Sequence, residues 1–356
     1  MTTPLPPLPP LSRLSPLIHR LTGGNPSKFT LQGTNTYLIG LGSQRILIDT
    51  GQGFPIWSET LTKLLSEEKT SITTVLLTHH HADHTDGLKD IPRLPAGPQQ
   101  QQQQQQKLWR FPAPPSTDSY KQMLSRTLKE GWGNDDDRPV CELRDGMVFE
   151  IPGAEGLASL RTLHTPGHTP DHCAFLLEGE AVEDPVLFTG DAVLGHGTAV
   201  FEDLAVYLAS LRKMLEGVVE VSAAAAAAAA ATAGTAAAKG RRKGEEREEE
   251  MVKVLAFPAH GEVIPDAAAK IKEYIEHRAQ RERQVLDVLR EGKEVVPMDL
   301  VKVIYKGYPE SLYGPAEGGV RLILSKLLGE GTVEQDGERW RVTSKLSDGK
   351  EQKAGL

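Results

Sequence analysis

The chain has 356 residues with a formal net charge of −8, which leaves room for one large domain or a domain plus a smaller one. That acidic balance argues against a whole-protein nucleic-acid binder, though not against a local basic patch. No apolar run approaches the ~20 residues of a membrane-spanning helix, and Cys141 and Cys173 are the only cysteines, read as unpaired thiols in a reducing, cytoplasmic compartment.

Met1 to Pro16 alternates Pro with Leu and lacks a secretory apolar core. Its acid-poor character, with Arg13 and Arg20, admits a mitochondrial transit peptide, but the prolines break the amphipathic helix such a peptide uses. Tyr37-Leu38-Ile39 and Arg45-Ile46-Leu47-Ile48 flank a Gly40 to Ser43 turn and read as a hairpin whose second strand ends in Asp49-Thr50-Gly51. Pro55 to Ser66 predicts a helix with Leu61, Leu64 and Leu65 on one side. Val75 to Leu77, Met147 to Ile151, Ser159 to Leu163, Ala174 to Leu177, Val186 to Phe188 and Val252 to Phe257 predict strands, and Phe201 to Leu215 a helix.

Two stretches read as solvated insertions without catalytic role, about 92–118 and 216–250. The first holds the Gln99 to Gln106 tract. The second holds Ala223 to Ala231, Lys239 to Lys243 and Glu245 to Glu250, and its alanines have no apolar stripe to pack. From Pro265 a long helical stretch runs to about Arg290. Met298 to Tyr305, Ala316 to Gly329, and β-like pieces at Gly331 to Glu334 and Arg339 to Val342 follow, in the order of a small winged-helix module. The expected organisation is a catalytic domain over 15–264 and a winged-helix-like region over 265–345.

Chemistry gathers at four strand ends. His79-His80-His81-Ala82-Asp83-His84 follows an apolar run, His168 ends His164-Thr165-Pro166-Gly167-His168, Asp191 follows Thr189-Gly190, and His260 follows Phe257-Pro258-Ala259. Gly167 and Gly190 suit sharp turns that aim the next side chain. Imidazoles and carboxylates suit zinc or a similar first-row ion, with manganese or iron as alternatives. The set exceeds one tetrahedral ion but fits two ions about 3.5–4 Å apart. His79, His81 and His168 are assigned to one ion, Asp83, His84 and His260 to the other, and Asp191 bridges. A shared water acidified to a pKa of about 7 would be the nucleophile, with Asp83 orienting it and accepting or returning a proton. Asp49 reads as orienting a ligand imidazole or as a turn cap. His80 is expected to point away, His164 to be an ordinary strand residue, and His172 to line the substrate cleft. His196 and Tyr207 are candidates for a hydrogen bond to substrate or for structural roles.

The Thr-His-x-His-x-Asp-His, Thr-Pro-Gly-His, Thr-Gly-Asp and final His motifs resemble the metallo-β-lactamase fold superfamily. Leu31-Gln32-Gly33-Thr34-Asn35-Thr36-Tyr37-Leu38, Arg45 to Gly51, Thr198 to Leu204 and Val301 to Lys306 are similar to its β-lactamase-like protein 2 group. That group holds animal single-strand-specific endoribonucleases and fungal thioesterases that release polyketides from acyl carrier proteins. The resemblance spans Ser15 to Val342 outside the two insertions. It implies an α+β fold, a four-layer αββα sandwich with the metals at one edge and a C-terminal winged-helix-like region. It also implies ligand roles for His79, His81, Asp83, His84, His168, Asp191 and His260, and the proton donor/acceptor role for Asp83. Ala259 departs from the Pro-Gly-His that many members carry, which puts the placement of His260 in question.

Three functions follow from this reading. The first is a two-zinc thioesterase acting on an acyl or polyketide chain held by an acyl carrier protein. The second is an endoribonuclease on single-stranded RNA, with Arg278, Arg281, Arg283, Lys302 and Lys306 as a possible RNA-facing set. Glu276 and Glu282 among them favour a solvated helix face instead. The third is a metal-stabilised scaffold without activity.

Overall fold

The computed structural model describes residues 5–92, 106–112, 121, 125, 127–133, 138–236, 252–291 and 294–343. Seven strands form the first sheet in sequence order: β1 (Leu11–Arg13), β2 (Ile18–Thr22), β3 (Asn35–Ile39), β4 (Gln44–Ile48), β5 (Ser71–Leu76), β6 (Lys107–Arg110) and β7 (Val140–Glu142). The pairs from β1 to β4 are antiparallel; those from β4 to β7 are parallel. The second sheet runs β12-β11-β10-β9-β8, from β8 (Val148–Glu150), β9 (Ser159–His164), β10 (Cys173–Glu178), β11 (Val186–Gly190) and β12 (Leu255–Pro258).

The two-residue period of a strand sorts the side chains into layers. Tyr37, Ile39, Ile46 and Ile48 of the first sheet meet Phe175, Leu177, Phe188 and Phe257 of the second in the inter-sheet core. The intervening Leu38 and Leu47 face outward onto Trp57, Leu61, Leu64 and Leu65 of helix α1 (Pro55–Glu68). On the far side, Ala174, Leu176 and Leu187 pack under Leu208, Leu211, Met214 and Val218 of a long helix, Leu204–Ala236. A short helix, α2 (Ala82–Thr85), follows β5, so the long helix is α3. The result is the expected helix–sheet–sheet–helix stack.

The outer core continues without a break into α4 (Ala267–Leu289), α5 (Pro297–Ile304), α6 (Tyr313–Gly329) and the wing β13 (Val333–Asp336) and β14 (Arg339–Val342), through Ile271, Tyr274, Leu300, Val301, Leu324 and Trp340. Asp266 caps α4 by accepting from the Ala269 N–H at 2.9 Å. Among the described residues no helix is long and apolar enough to cross a membrane, and Cys141 and Cys173 are unpaired.

Several expectations need correction. The 216–250 stretch is not a loop throughout, because α3 runs on to Ala236 with Val218 and Val221 buried. Alanine has the highest intrinsic helix propensity, so the tract extends a helix already anchored by its first turns. The 92–118 stretch contains β6, paired with β5 and β7. Its last glutamine, Gln106, is buried and donates to the Ile72 and Pro92 carbonyls at 2.9 and 3.1 Å. Gln99 to Gln105, Lys239 to Lys243 and Glu245 to Glu250 lie outside the described residues. Strand β2, buried along its whole length, escaped the sequence reading.

Candidate metal centre

β5, β9, β11 and β12 all deliver their C-terminal ends to one edge of the sandwich, where the candidate residues converge. His79 to His84 leave β5 in a turn, with the His84 N–H donating to the His81 carbonyl at 3.0 Å. Gly167, at φ 126°, precedes His168, and Gly190, at φ 52°, precedes Asp191. The backbone at Ala259 stays out of the left-handed region, and the following turn is made by Gly261 at φ 92°. With alanine there, His260 Nε2 lies 3.2 Å from Asp191 Oδ1 and 3.3 Å from Asp83 Oδ2.

The donor atoms fall into two sets, His79, His81, His168 and Asp191, and Asp83, His84 and His260, each with its ligand atoms within 4.8 Å of one another. In the first, His81 Nδ1 lies 2.9 Å from His79 Nε2 and 3.2 Å from His168 Nε2. Asp191 Oδ2 lies 3.5 Å from His168 Nε2 and 4.0 Å from His79 Nε2. In the second, Asp83 Oδ2 lies 3.4 Å from His84 Nε2 and 3.3 Å from His260 Nε2. The other Asp191 oxygen, Oδ1, lies 3.5 Å from His84 Nε2 and 3.2 Å from His260 Nε2. Asp191 thus turns one oxygen toward each set. Bonds of ~2.0–2.1 Å in a tetrahedron put neighbouring donors about 3.3–3.4 Å apart, and these separations bracket that value.

Three of the candidate ligand imidazoles, those of His168, His84 and His79, are aimed by their other nitrogen. His168 Nδ1–H donates to the Val200 carbonyl at 2.7 Å. His84 Nδ1 lies 2.8 Å from Asp49 Oδ2, and Asp49 also accepts from the Thr78 N–H and Oγ1, both at 2.8 Å. Thr78 Oγ1 lies 3.0 Å from His79 Nδ1. Such outer contacts select the tautomer that leaves a lone pair for a metal. Asp49 holds φ 58° to do this, one of three non-glycine residues at positive φ among those described.

The electrostatics differ between the two donor sets. Burial, reinforced by His84 and His168, holds His79 well below the ordinary imidazole range. Burial also holds His81 down at about 4. Burial opposes charge on His84 and His260 too, but the Asp83 and Asp191 carboxylates outweigh it and lift both, His260 to about 9. Burial works against the Asp191 carboxylate, and His260 and His84 overcome it to hold its pKa low. His84 Nε2 and Asp191 Oδ1 are buried without a hydrogen-bond partner. Orphaned donor atoms aimed at one point fit a cation better than a hydrogen-bond network.

The site opens into a cleft of about 700 Å³. Its walls are Asn25 to Leu31 with Gln52 and Phe54 on one side, and Leu194 with His196 to Thr198 and Val200 on the other. Phe29 and Val200 are each 67% exposed at its rim. Lys28, 4.7 Å over the Phe29 ring, is the one lysine or arginine among the described residues lining it.

His80 points away, its Nδ1 2.7 Å from Asp171 Oδ1. His164 stacks on Phe111 at 3.8 Å. His172 does not line the cleft; it is fully buried, and its Nε2 accepts the Asp191 N–H at 3.1 Å. Tyr207 is buried and donates to the Ala192 carbonyl at 2.6 Å, while His196 is in the cleft wall. Arg278 turns inward, its guanidinium 4.7 Å over Phe201 and donating to the Ala199 carbonyl at 2.8 Å. Sequence reasoning missed Thr34, whose hydroxyl donates to Asp83 Oδ2 at 3.1 Å; its place in the Gly33-Thr34-Asn35-Thr36 run was the available signal.

Residues 29–225 match the model of the metallo-β-lactamase superfamily, and residues 297–340 that of the β-lactamase-associated winged helix domain. This chain is a member of the metallo-β-lactamase superfamily. It is 35% identical over 337 residues to an atrochrysone carboxyl ACP thioesterase of Aspergillus chevalieri, covering 92% of this chain and 86% of that one. It is 37% identical over 325 residues to a β-lactamase-like protein 2 homolog of Drosophila melanogaster, covering 90% and 91%. The crystal structure of a β-lactamase domain protein from Burkholderia ambifaria shares the fold at a TM-score of 0.60 and 18% identity, covering 94% of this chain and 93% of that one. Within this superfamily chain, the metallo-β-lactamase match covers the seven candidate ligands except His260, which follows β12 beyond it.

Proposed function

We propose that this protein is a two-zinc thioesterase that releases an acyl or polyketide chain from an acyl carrier protein. The observation that carries the reading is the pair of donor sets sharing Asp191, with donor separations of 3.2–3.5 Å around the second set. His79, His81 and His168 would hold one ion, Asp83, His84 and His260 the other, and Asp191 both. Ions held there would supply Lewis acidity toward a water and a thioester carbonyl.

The chain's own groups do the rest. Asp83 is held ionised by its histidine neighbours and can take a proton from the attacking water and return it to the departing thiolate. Phe29, Phe54, Leu194 and Val200 give the cleft apolar walls suited to an acyl chain. A single lysine at the rim supports a neutral acyl group over a polyanion, because phosphate recognition normally draws on several cationic contacts. The tail supports this: of the residues read as a possible RNA-facing set, Arg278 is turned inward, Arg281 lies over the Tyr305 ring, Arg283 pairs with Glu276 and Lys302 with Asp299. The name of the Aspergillus relative points the same way.

The test is a parallel assay on an acyl-carrier thioester and on unstructured RNA, with metal analysis of the purified protein. About two zinc ions per chain are expected, with thioester hydrolysis abolished by chelation and restored by zinc. RNA cleavage with an inert thioester would overturn the substrate assignment, and protein purified without any transition metal would overturn the centre.

A further inference from the structure

Asp83 is gripped from behind by a hydrogen-bond chain that reaches the cleft wall, and its direction is set by the backbone. The Thr34 N–H donates to Asn25 Oδ1 at 2.9 Å. That leaves Asn25 Nδ2 as a donor, and it gives one proton to Thr34 Oγ1 at 3.1 Å and the other to Gln52 Oε1 at 3.0 Å. With its oxygen already accepting, the Thr34 hydroxyl spends its one proton on Asp83 Oδ2. That is the oxygen facing His84 and His260. Thr34 is fully buried and Asn25 is 6% exposed, while the Asp83 side chain they hold is 20% exposed. Gly23 and Gly33 make room for the amide, since a Cβ on either would come within 2.8 and 3.2 Å of Asn25 Oδ1.

We infer that Thr34 is a positioning residue for the second ion, fixing which Asp83 oxygen faces it. The inference rests on the two-ion reading above. Loss of an outer partner of a metal ligand costs about 10–100-fold in affinity. Metal-free wild type, Thr34→Val and Thr34→Ser are titrated with zinc against a chromophoric chelator, with melting curves as the fold control. Thr34→Val keeps the volume and removes the hydroxyl; Thr34→Ser keeps the hydroxyl. The expected result is one site weakened about 10–100-fold in Thr34→Val, the other unchanged, and both retained in Thr34→Ser. If Thr34→Val fails to fold, Thr34→Ala is read in its place by the same criteria. Two wild-type affinities in the hydroxyl-free variant, or equal losses in the serine variant, overturn the role of Thr34 and leave the two-ion reading standing. A wild type that binds fewer than two zinc ions overturns both.

Discussion

Gly167 is where the loop that carries His168 touches the start of α3, and replacing it with alanine separates two physical costs. Its φ is 126°, a region that side-chain-bearing residues rarely adopt, which costs about 1–3 kcal/mol. A Cβ there would sit 2.4 Å from Tyr207 Cα and 2.5 Å from Tyr207 N. Both are helix backbone and cannot swing aside, adding about 1–3 kcal/mol of crowding. Alanine also stiffens the unfolded chain, returning about 0.4–1 kcal/mol. The net loss for Gly167→Ala is about 1–5.5 kcal/mol, set against the ~5–15 kcal/mol that holds a typical domain together. Gly146 is the control. Its φ is 73°, but a Cβ would meet nothing within 4 Å, so Gly146→Ala loses only about 0–1.5 kcal/mol. Urea denaturation of the two variants against wild type reads the difference through the midpoints at constant slope. Because Gly167 O also accepts the Glu202 N–H at 2.7 Å, the distortion should reach the loop holding His168 and weaken zinc binding as well. Equal midpoints for the two variants would refute the claim that contact with α3, rather than glycine's freedom alone, dictates this position.

Three further outcomes follow from the geometry. Asp191→Asn, which alters the carboxylate shared by both donor sets, should lower thioester turnover more than ~100-fold, beyond the range for an outer partner. His80→Ala should keep most turnover while losing about 1–3 kcal/mol of stability, because it strips a buried partner from Asp171; steady-state kinetics beside denaturation checks both, and equal activity losses would contradict the sorting of these side chains. Arg278→Met should raise KM more than it lowers kcat, since it frees the Ala199 carbonyl in the loop that forms one cleft wall. An unchanged KM would show that the loop holds its position without α4.

The candidate metal cluster His79 to His84 was legible because it spans six residues, and tight spacing survives any rearrangement elsewhere, whereas His168, Asp191 and His260 join it only through the fold. The β3–β4 hairpin was legible for the same reason, its alternating Leu and Ile carrying their own period. What escaped was set by partners distant in sequence. β2 and β6 carry weak local signals and take their form from the strands they pair with, and the alanine half of α3 lacks an apolar stripe of its own and continues a helix anchored by its first turns. The inward turn of Arg278 depends on Ala199 and Phe201, and the grip of Thr34 on a residue 49 positions away. The sequence motifs marked which residues could hold a cation. Only the packed sandwich decided which nitrogen of each imidazole and which oxygen of each carboxylate face it, because orientation is a property of neighbours and neighbours are made by folding.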